Sequence, residues 1–169
     1  MYVACSTLCF CRHSLEDALQ TMRELRFPKA ELAIQDGGPH VTPADVLDDI
    51  GAIATRLKTA NQPLAAIHAS ITTPDPDEAR RQLRAICRLA RVTTVPLVTV
   101  PAAPLGSDFA AEIVRLREWT KIAASEGVIL SVEREAAAGE ERQFAGRGGE
   151  QQALLRRPRH GCFGAAGGV

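Results

Sequence analysis

Apolar positions along this chain switch repeatedly between two periods. Tyr2-Val3-Ala4-Cys5-Ser6-Thr7-Leu8 is a short, nearly continuous apolar run of the strand type. From Ser14 the spacing becomes helical, with Leu15, Ala18, Leu19, Met22 and Leu25 on one face, and Ser14 with Asp17 forms a capping-box pattern. Pro28 closes that unit. Lys29-Ala30-Glu31-Leu32-Ala33-Ile34 reads as a second strand, Gly37-Gly38-Pro39 as a turn, and Thr42-Pro43 with Asp45 as the cap of a second helix whose buried stripe is Val46, Ile50, Ile53 and Leu57.

The alternation continues through three more strands. Pro63 introduces Leu64-Ala65-Ala66-Ile67-His68-Ala69-Ser70-Ile71, and Asp75-Pro76 with Glu78 starts a helix carrying Ala79, Leu83, Ile86, Leu89 and Ala90. Pro96-Leu97-Val98-Thr99-Val100 is the fourth strand. Ser107 is the expected cap of the next helix, which carries Ala110, Ile113 and Leu116 and stops at Gly127. Val128-Ile129-Leu130-Ser131-Val132-Glu133 is the fifth strand, and there the pattern ends.

Strands alternating with helices, each strand close to continuously apolar, imply a parallel sheet covered by helices. Strand starts near 2, 29, 63, 95 and 127 give intervals of 27, 34, 32 and 32 residues. A (β/α)₈ barrel of about 250 residues repeats about every 31. No Gly-x-Gly-x-x-Gly follows the first strand, where a dinucleotide-binding fold would carry its phosphate loop. The expected fold is α/β, a partial (β/α)₈ barrel of about four and a half units over residues 1–133.

Composition changes the picture at the end of the chain. Residues 134–169 hold 8 of the 13 glycines, six arginines, no lysine and no isoleucine. A Gly/Ala/Arg-rich stretch of this kind buries too little apolar surface to offset its ordering entropy, so 134–169 is expected to be a disordered tail, with at most a helical turn at 151–157. The break after Ser131-Val132-Glu133 reads as a frameshift or truncation, with a genuine low-complexity tail as the alternative.

Charge narrows the function classes. The 169 residues carry 20 Lys+Arg against 20 Asp+Glu, so no global field calls for nucleic acid or a membrane surface. No apolar run approaches the roughly 20 residues of a bilayer helix, and the N-terminus has neither the basic start nor the cleavage site of a secretory signal. Five cysteines, an odd number, read as reduced thiols, and the expected location is cytoplasmic. Cys5, Cys9, Cys11 and His13 do not have zinc-ribbon or iron–sulfur spacing. Arg80, Arg84, Arg88 and Arg91 form a basic stripe, expected to be a solvated helix face because no aromatic residues for base stacking lie nearby.

The body resembles the xylose-isomerase-like barrels, the group that includes sugar phosphate isomerases/epimerases and the endonuclease-IV-like enzymes. The resemblance rests on Ala30-Glu31-Leu32 ending strand two, Ile67-His68-Ala69-Ser70 ending strand three and Leu130-Ser131-Val132-Glu133 ending strand five, in that order and spacing. It implies that Glu133 descends from a ligand of a divalent metal (Mn, Mg or Zn) that also serves as an acid/base, and that His68 and Glu31 face a sugar substrate. The family's remaining ligands come from later strands, which would need on the order of 110 further residues at the barrel period. One carboxylate does not hold a metal, so this chain is expected to bind none tightly and to be inactive in this form. The strand-four end, Val100-Pro101-Ala102, lacks the His-Pro-Gly of the endonuclease branch and points toward the isomerase/epimerase branch, where a proton moves between adjacent carbons of a sugar. The alternatives are a non-catalytic half-barrel or a subunit that needs a partner and, less favoured, an endonuclease-like metal hydrolase. The inner faces of the strands, taken as Val3, Ile34, Ile67, Val98 and Ile129, are expected to face a missing half. The bare edges of strands one and five are expected to drive self-association.

Overall fold

Five parallel strands make one sheet in the order β1-β2-β3-β4-β5. They are β1 (Ala4–Ser6), β2 (Lys29–Gln35), β3 (Leu64–Ser70), β4 (Leu97–Pro101) and β5 (Ile129–Glu133). This computed structural model describes residues 3–104 and 106–133. The segment 134–169, and with it the expected disordered tail and helical turn, lies outside the described residues. A doubly wound sheet reverses its strand order at a switch point. Here sequence order and spatial order coincide, as they do around a barrel, and the sheet is an incomplete (β/α)₈ barrel.

The helices start where short polar side chains can cap them. Ser14 accepts from the Asp17 backbone N–H at 3.1 Å to begin α1 (Leu15–Glu24). Thr42 and Asp45 form a reciprocal capping box before α2 (Pro43–Asp48). The second expected helix is in fact two. Asp49 leaves helical geometry at φ −150° and ψ 86°, and its carboxylate accepts from the Ala52 N–H at 2.8 Å to start α3 (Ile50–Ala60). Asp75 caps α4 (Pro76–Val92), with Pro76 at the first helical position. The last cap is Asp108, not Ser107: its Oδ1 accepts from Ala110 and Ala111 at 2.8 and 3.2 Å to open α5 (Phe109–Ser125). A carboxylate that satisfies two orphan N–H groups at a helix N-terminus outcompetes a neighbouring hydroxyl.

The core lies between the sheet and these helices. Leu32, Ile34, Ile67 and Val98 are fully buried against Leu19, Met22, Leu83, Ile86 and Leu89. Strand parity therefore corrects one expectation. Ile34, Ile67 and Val98 face the helices, not the barrel interior; Ile129, in phase with Ser131 and Glu133, does lie on the inner side and is 65 % exposed, and Val3 is 66 % exposed. In a parallel barrel the helix-facing side takes the large apolar residues, so the inner side is the alternate set. That set runs Ser6, Glu31, Ala33, Gln35, Ala66, His68, Ser70, Thr99, Ser131 and Glu133, linked by the register pairs Ser6↔Glu31, Ala33↔His68, His68↔Thr99 and Thr99↔Ser131. The inner face is polar toward the C-terminal ends of the strands, whereas Leu64, Leu97 and Ile129 make it apolar at the N-terminal ends.

Two further tethers shape the ends of the strands. After β1 the chain makes a 3-10 turn (Thr7–Phe10), and the buried Thr7 hydroxyl oxygen accepts from the Ala33 N–H at 3.0 Å. Beyond β2, Asp36 accepts from both the N–H and the hydroxyl of Thr72, at 2.8 and 2.6 Å, and so joins the loops that follow β2 and β3. The arginine stripe of α4 is solvent-exposed at Arg84, Arg88 and Arg91, as its spacing implies, and most of it is also ion-paired. Arg80 pairs with Glu118 at 2.6 Å, and Arg88 and Arg91 reach the buried Glu126 carboxylate at 3.4 and 3.2 Å. These contacts clamp α4 to α5.

Candidate functional site at the C-terminal end of the sheet

Three polar side chains converge where β3, β4 and β5 end. Thr99 of β4 lies beside His68 of β3, with Oγ1 and Nδ1 3.4 Å apart, and the Thr99 hydroxyl also lies 3.4 Å from the Ile67 carbonyl. From β5, Oε2 of Glu133 comes within 3.4 Å of the same His68 Nδ1. Parity makes this possible: His68, Thr99 and Glu133 all occupy inner-face positions, and Glu133 is register partner to Pro101, two residues beyond Thr99. The His68 side chain is 16 % exposed and that of Glu133 51 %, so the pair sits half inside the sheet and half open to solvent. Ala102 donates to the Glu133 carbonyl at 2.8 Å, which fixes the backbone that carries the carboxylate.

Of the residues singled out in the sequence, His68 and Glu133 are thus brought together, and Glu133 does not stand alone. Glu31 is not brought to them. It is the third residue of β2, and the strand runs on through Leu32, Ala33 and Ile34 to Gln35 before turning at Gly37, φ 64°. Its expected place at a strand end is corrected: Leu32 and Ile34 are fully buried and hold the chain in the ladder past it. Glu31 shares the inner face but lies toward the opposite end of the strand from the His68 level. Thr99 and Ser131 were missed in the sequence. Their signal is the polar residues at one parity on neighbouring strands: His68 and Ser70, Thr99, and Ser131 with Glu133.

The donor set bears on a metal. An imidazole nitrogen and a carboxylate are both ligands for Mn, Mg or Zn. Among the described residues, however, no group of three or more His, Cys, Asp or Glu side chains is placed to hold an ion. Two donors do not make a closed or a catalytic metal site, so the residues present do not by themselves fit a resident cation. The strand-four end offers no ligand either, since it consists of Val100, Pro101 and Ala102. In the cysteine cluster, burial foremost, then the nearness of Cys9 and Glu31, pushes the Cys5 thiol up to about 11. A thiol held protonated is a poor ligand at neutral pH. His13 is occupied in an edge-on contact with Phe10, ring centroids 5.9 Å apart.

A groove of about 610 Å³ runs between α4 and α5, floored by Trp119, Ile71 and Ala79. Its cations are engaged: Arg115 lies 4.2 Å over the Trp119 ring and donates to Glu112, and Arg80 is held by Glu118. Among the described residues, no helix is long and apolar enough to cross a membrane.

No family model and no curated protein matches the chain. Solved structures do. A D-tagatose 3-epimerase-like protein aligns with a TM-score of 0.56 and 17 % identity, over 82 % of this chain and 55 % of that one. A xylose isomerase domain protein from Planctomyces limnophilus aligns at 0.54 and 12 %, over 85 % and 57 %. A D-allulose 3-epimerase from Methylomonas sp. aligns at 0.54 and 14 %, over 78 % and 51 %. The chain spans about half the length of the solved structures it matches. At these identities the likeness is one of fold: a partial xylose-isomerase-like barrel.

Proposed function

We propose that this chain derives from barrels that isomerise or epimerise sugars, and that its His68–Glu133 pair is the part of such a site which the described residues supply. The observation that carries the reading is the 3.4 Å approach of His68 Nδ1 to Glu133 Oε2 at the strand ends, where barrel active sites gather. A carboxylate there can take a proton from a carbon next to a sugar carbonyl and return it to the same carbon or its neighbour. His68 would orient the carboxylate and hold one oxygen while the other faces the sugar. Thr99 and Ser131 line the same face and suit sugar hydroxyls, which both donate and accept. Glu31, farther along the inner face, would contact the substrate only at its far end. No step is assigned to a metal.

The chain by itself is expected to bind sugar weakly and not to turn it over, because two functional groups do not make a full proton-transfer site. Protein NMR with D-tagatose or D-allulose in D₂O tests both parts. Shifts confined to His68, Thr99, Ser131 and Glu133, abolished by Glu133→Gln, are expected, with no deuterium entering the sugar. Shifts scattered over the helices, or none at all, would remove the sugar reading. Deuterium exchange that depends on Glu133 would show that the chain is active as it stands.

A further inference from the structure

One rung extends the β4–β5 ladder past Pro101: the Ala102 N–H donates to the Glu133 carbonyl at 2.8 Å. That N–H belongs to the same peptide unit as the Pro101 carbonyl, which accepts from Nη2 of Arg115 at 3.2 Å. The unit is planar and trans, so its carbonyl and its N–H point in opposite directions and turn together. Fixing the carbonyl therefore aims the N–H. The next amide along, that of Ala103, donates to Oε1 of Glu112 at 3.0 Å. Both peptide units that flank Ala102 are thus tied to the first turns of α5.

Those ties start from a side chain with little freedom. Arg115 grips Glu112 with two prongs, Nε to Oε2 and Nη2 to Oε1, at 2.7 Å each. Its guanidinium lies 4.2 Å over the ring of the buried Trp119. A planar guanidinium that is stacked on an aromatic face and forked onto a carboxylate has few rotamers left. The Glu112 side chain is only 12 % exposed, and the hydrogen bond from Arg115 foremost, with the Ala103 N–H assisting and burial opposing, holds its carboxyl below the usual carboxylate range. The pair is therefore charged throughout neutral pH. We infer that Glu112 and Arg115 are positioning residues for the His68–Glu133 pair: they set the orientation of the Pro101–Ala102 peptide, and through it the place of the Glu133 backbone from which the carboxylate comes within 3.4 Å of His68. The neighbouring Arg80 gives the contrast, because its pairs with Asp77 and Glu118 tie α4 to α5 and not a helix to a strand end. The functional consequence rests on the sugar reading of the pair, but the geometry can be measured without sugar, so the two can fail separately.

Protein NMR on the full 169-residue chain tests it with two readouts: hydrogen exchange of the Ala102 amide, and the displacement of the His68 ring nitrogen signals caused by Glu133→Gln. Arg115→Met keeps the apolar stem over Trp119 and removes the donors. It is expected to speed Ala102 exchange by about tenfold or more and to shrink the His68 response to Glu133→Gln by about half or more. Arg80→Met breaks a comparable ion pair on the same helix and is expected to change neither readout, which separates positioning from a general loosening of α5. Should Arg115→Met fail to fold, Glu112→Ala decides, with the same two changes expected. Unchanged readouts in a folded Arg115→Met or Glu112→Ala chain, or equal changes in Arg80→Met, would overturn the inference and leave the sugar reading standing. A wild-type His68 indifferent to Glu133→Gln would overturn both.

Discussion

His68 Nδ1 stands 3.4 Å from Glu133 Oε2 although β4 lies between their strands. The sheet curves enough at its C-terminal end to bring inner-face groups of β3 and β5 over the small side chains of β4. Thr99, level with His68, lies beneath them with its Oγ1 3.4 Å from His68 Nδ1. The pair is open on one side, with half of the Glu133 side chain exposed, and four outcomes can be expected from this arrangement and its surroundings.

A hard cation wants about six oxygen-type ligands, and this pair supplies two donors. Titration with Mn²⁺, followed by water proton relaxation, is expected to give a dissociation constant of about a millimolar or weaker, and Glu133→Gln to weaken it further. Micromolar binding that survives Glu133→Gln would place the ion elsewhere in the chain.

Strand parity separates two isoleucines of the same sheet. Ile67 is fully buried between β3 and the helices, so Ile67→Ala is expected to cost about 2–5 kcal/mol in urea denaturation. Ile129 is 65 % exposed, and Ile129→Ala is expected to stay within about 0.5 kcal/mol. Equal losses at the two sites would contradict the orientation of the sheet.

Capping separates Asp108 from Ser107. Asp108→Ala removes the acceptor of two N–H groups at the start of α5 and is expected to cost about 1 kcal/mol. Ser107→Ala is expected to change stability by no more than a few tenths of a kcal/mol, since the Ser107 side chain caps nothing. Thermal melts of the two variants make the comparison directly.

Acid is expected to destabilise the fold in two phases. Burial holds the His40 ring below its ordinary value of 6.5, against the opposing pull of the Phe10 and His13 backbone groups. The unfolded chain therefore takes up a proton that the native state refuses, so stability falls as pH drops below about 6.5 and levels off beneath the folded value. Hydrogen bonds from Arg56, Thr42 and Arg115 hold Glu16, Asp45 and Glu112 below the usual carboxylate range. Their contribution is present above about pH 4.5 and is lost below it as they protonate. Urea midpoints between pH 8 and 3 should show both phases, and His40→Asn should remove only the upper one.

Local chemistry was readable in advance because it depends on neighbours within a few residues. Ser14 with Asp17, Thr42-Pro43 with Asp45, Asp75-Pro76 and the stop at Gly127 act through nearby backbone, and each helix start or stop they marked is present. Asp49 and Asp108 were missed because several short polar residues compete at each of those helix ends, and geometry chooses among them. The repeat of strand and helix, and with it the incomplete barrel, followed from the same short-range periodicities.

Period-two alternation says that residues two apart share a side; it does not say which side receives the helices. That choice is made when Leu19, Met22, Leu83 and Ile86 pack on the sheet, and it sent Ile34, Ile67 and Val98 outward and the polar series inward. Glu31 was misplaced for a related reason, since a strand ends where its ladder partners end, and those partners lie on β3. The sequence by itself determined the five strands, their helices and the presence of His68 and Glu133 near strand ends. Only the tertiary structure decided that these two side chains meet, because their separation depends on sheet curvature and register across β4, both of which arise from packing between segments remote in the chain.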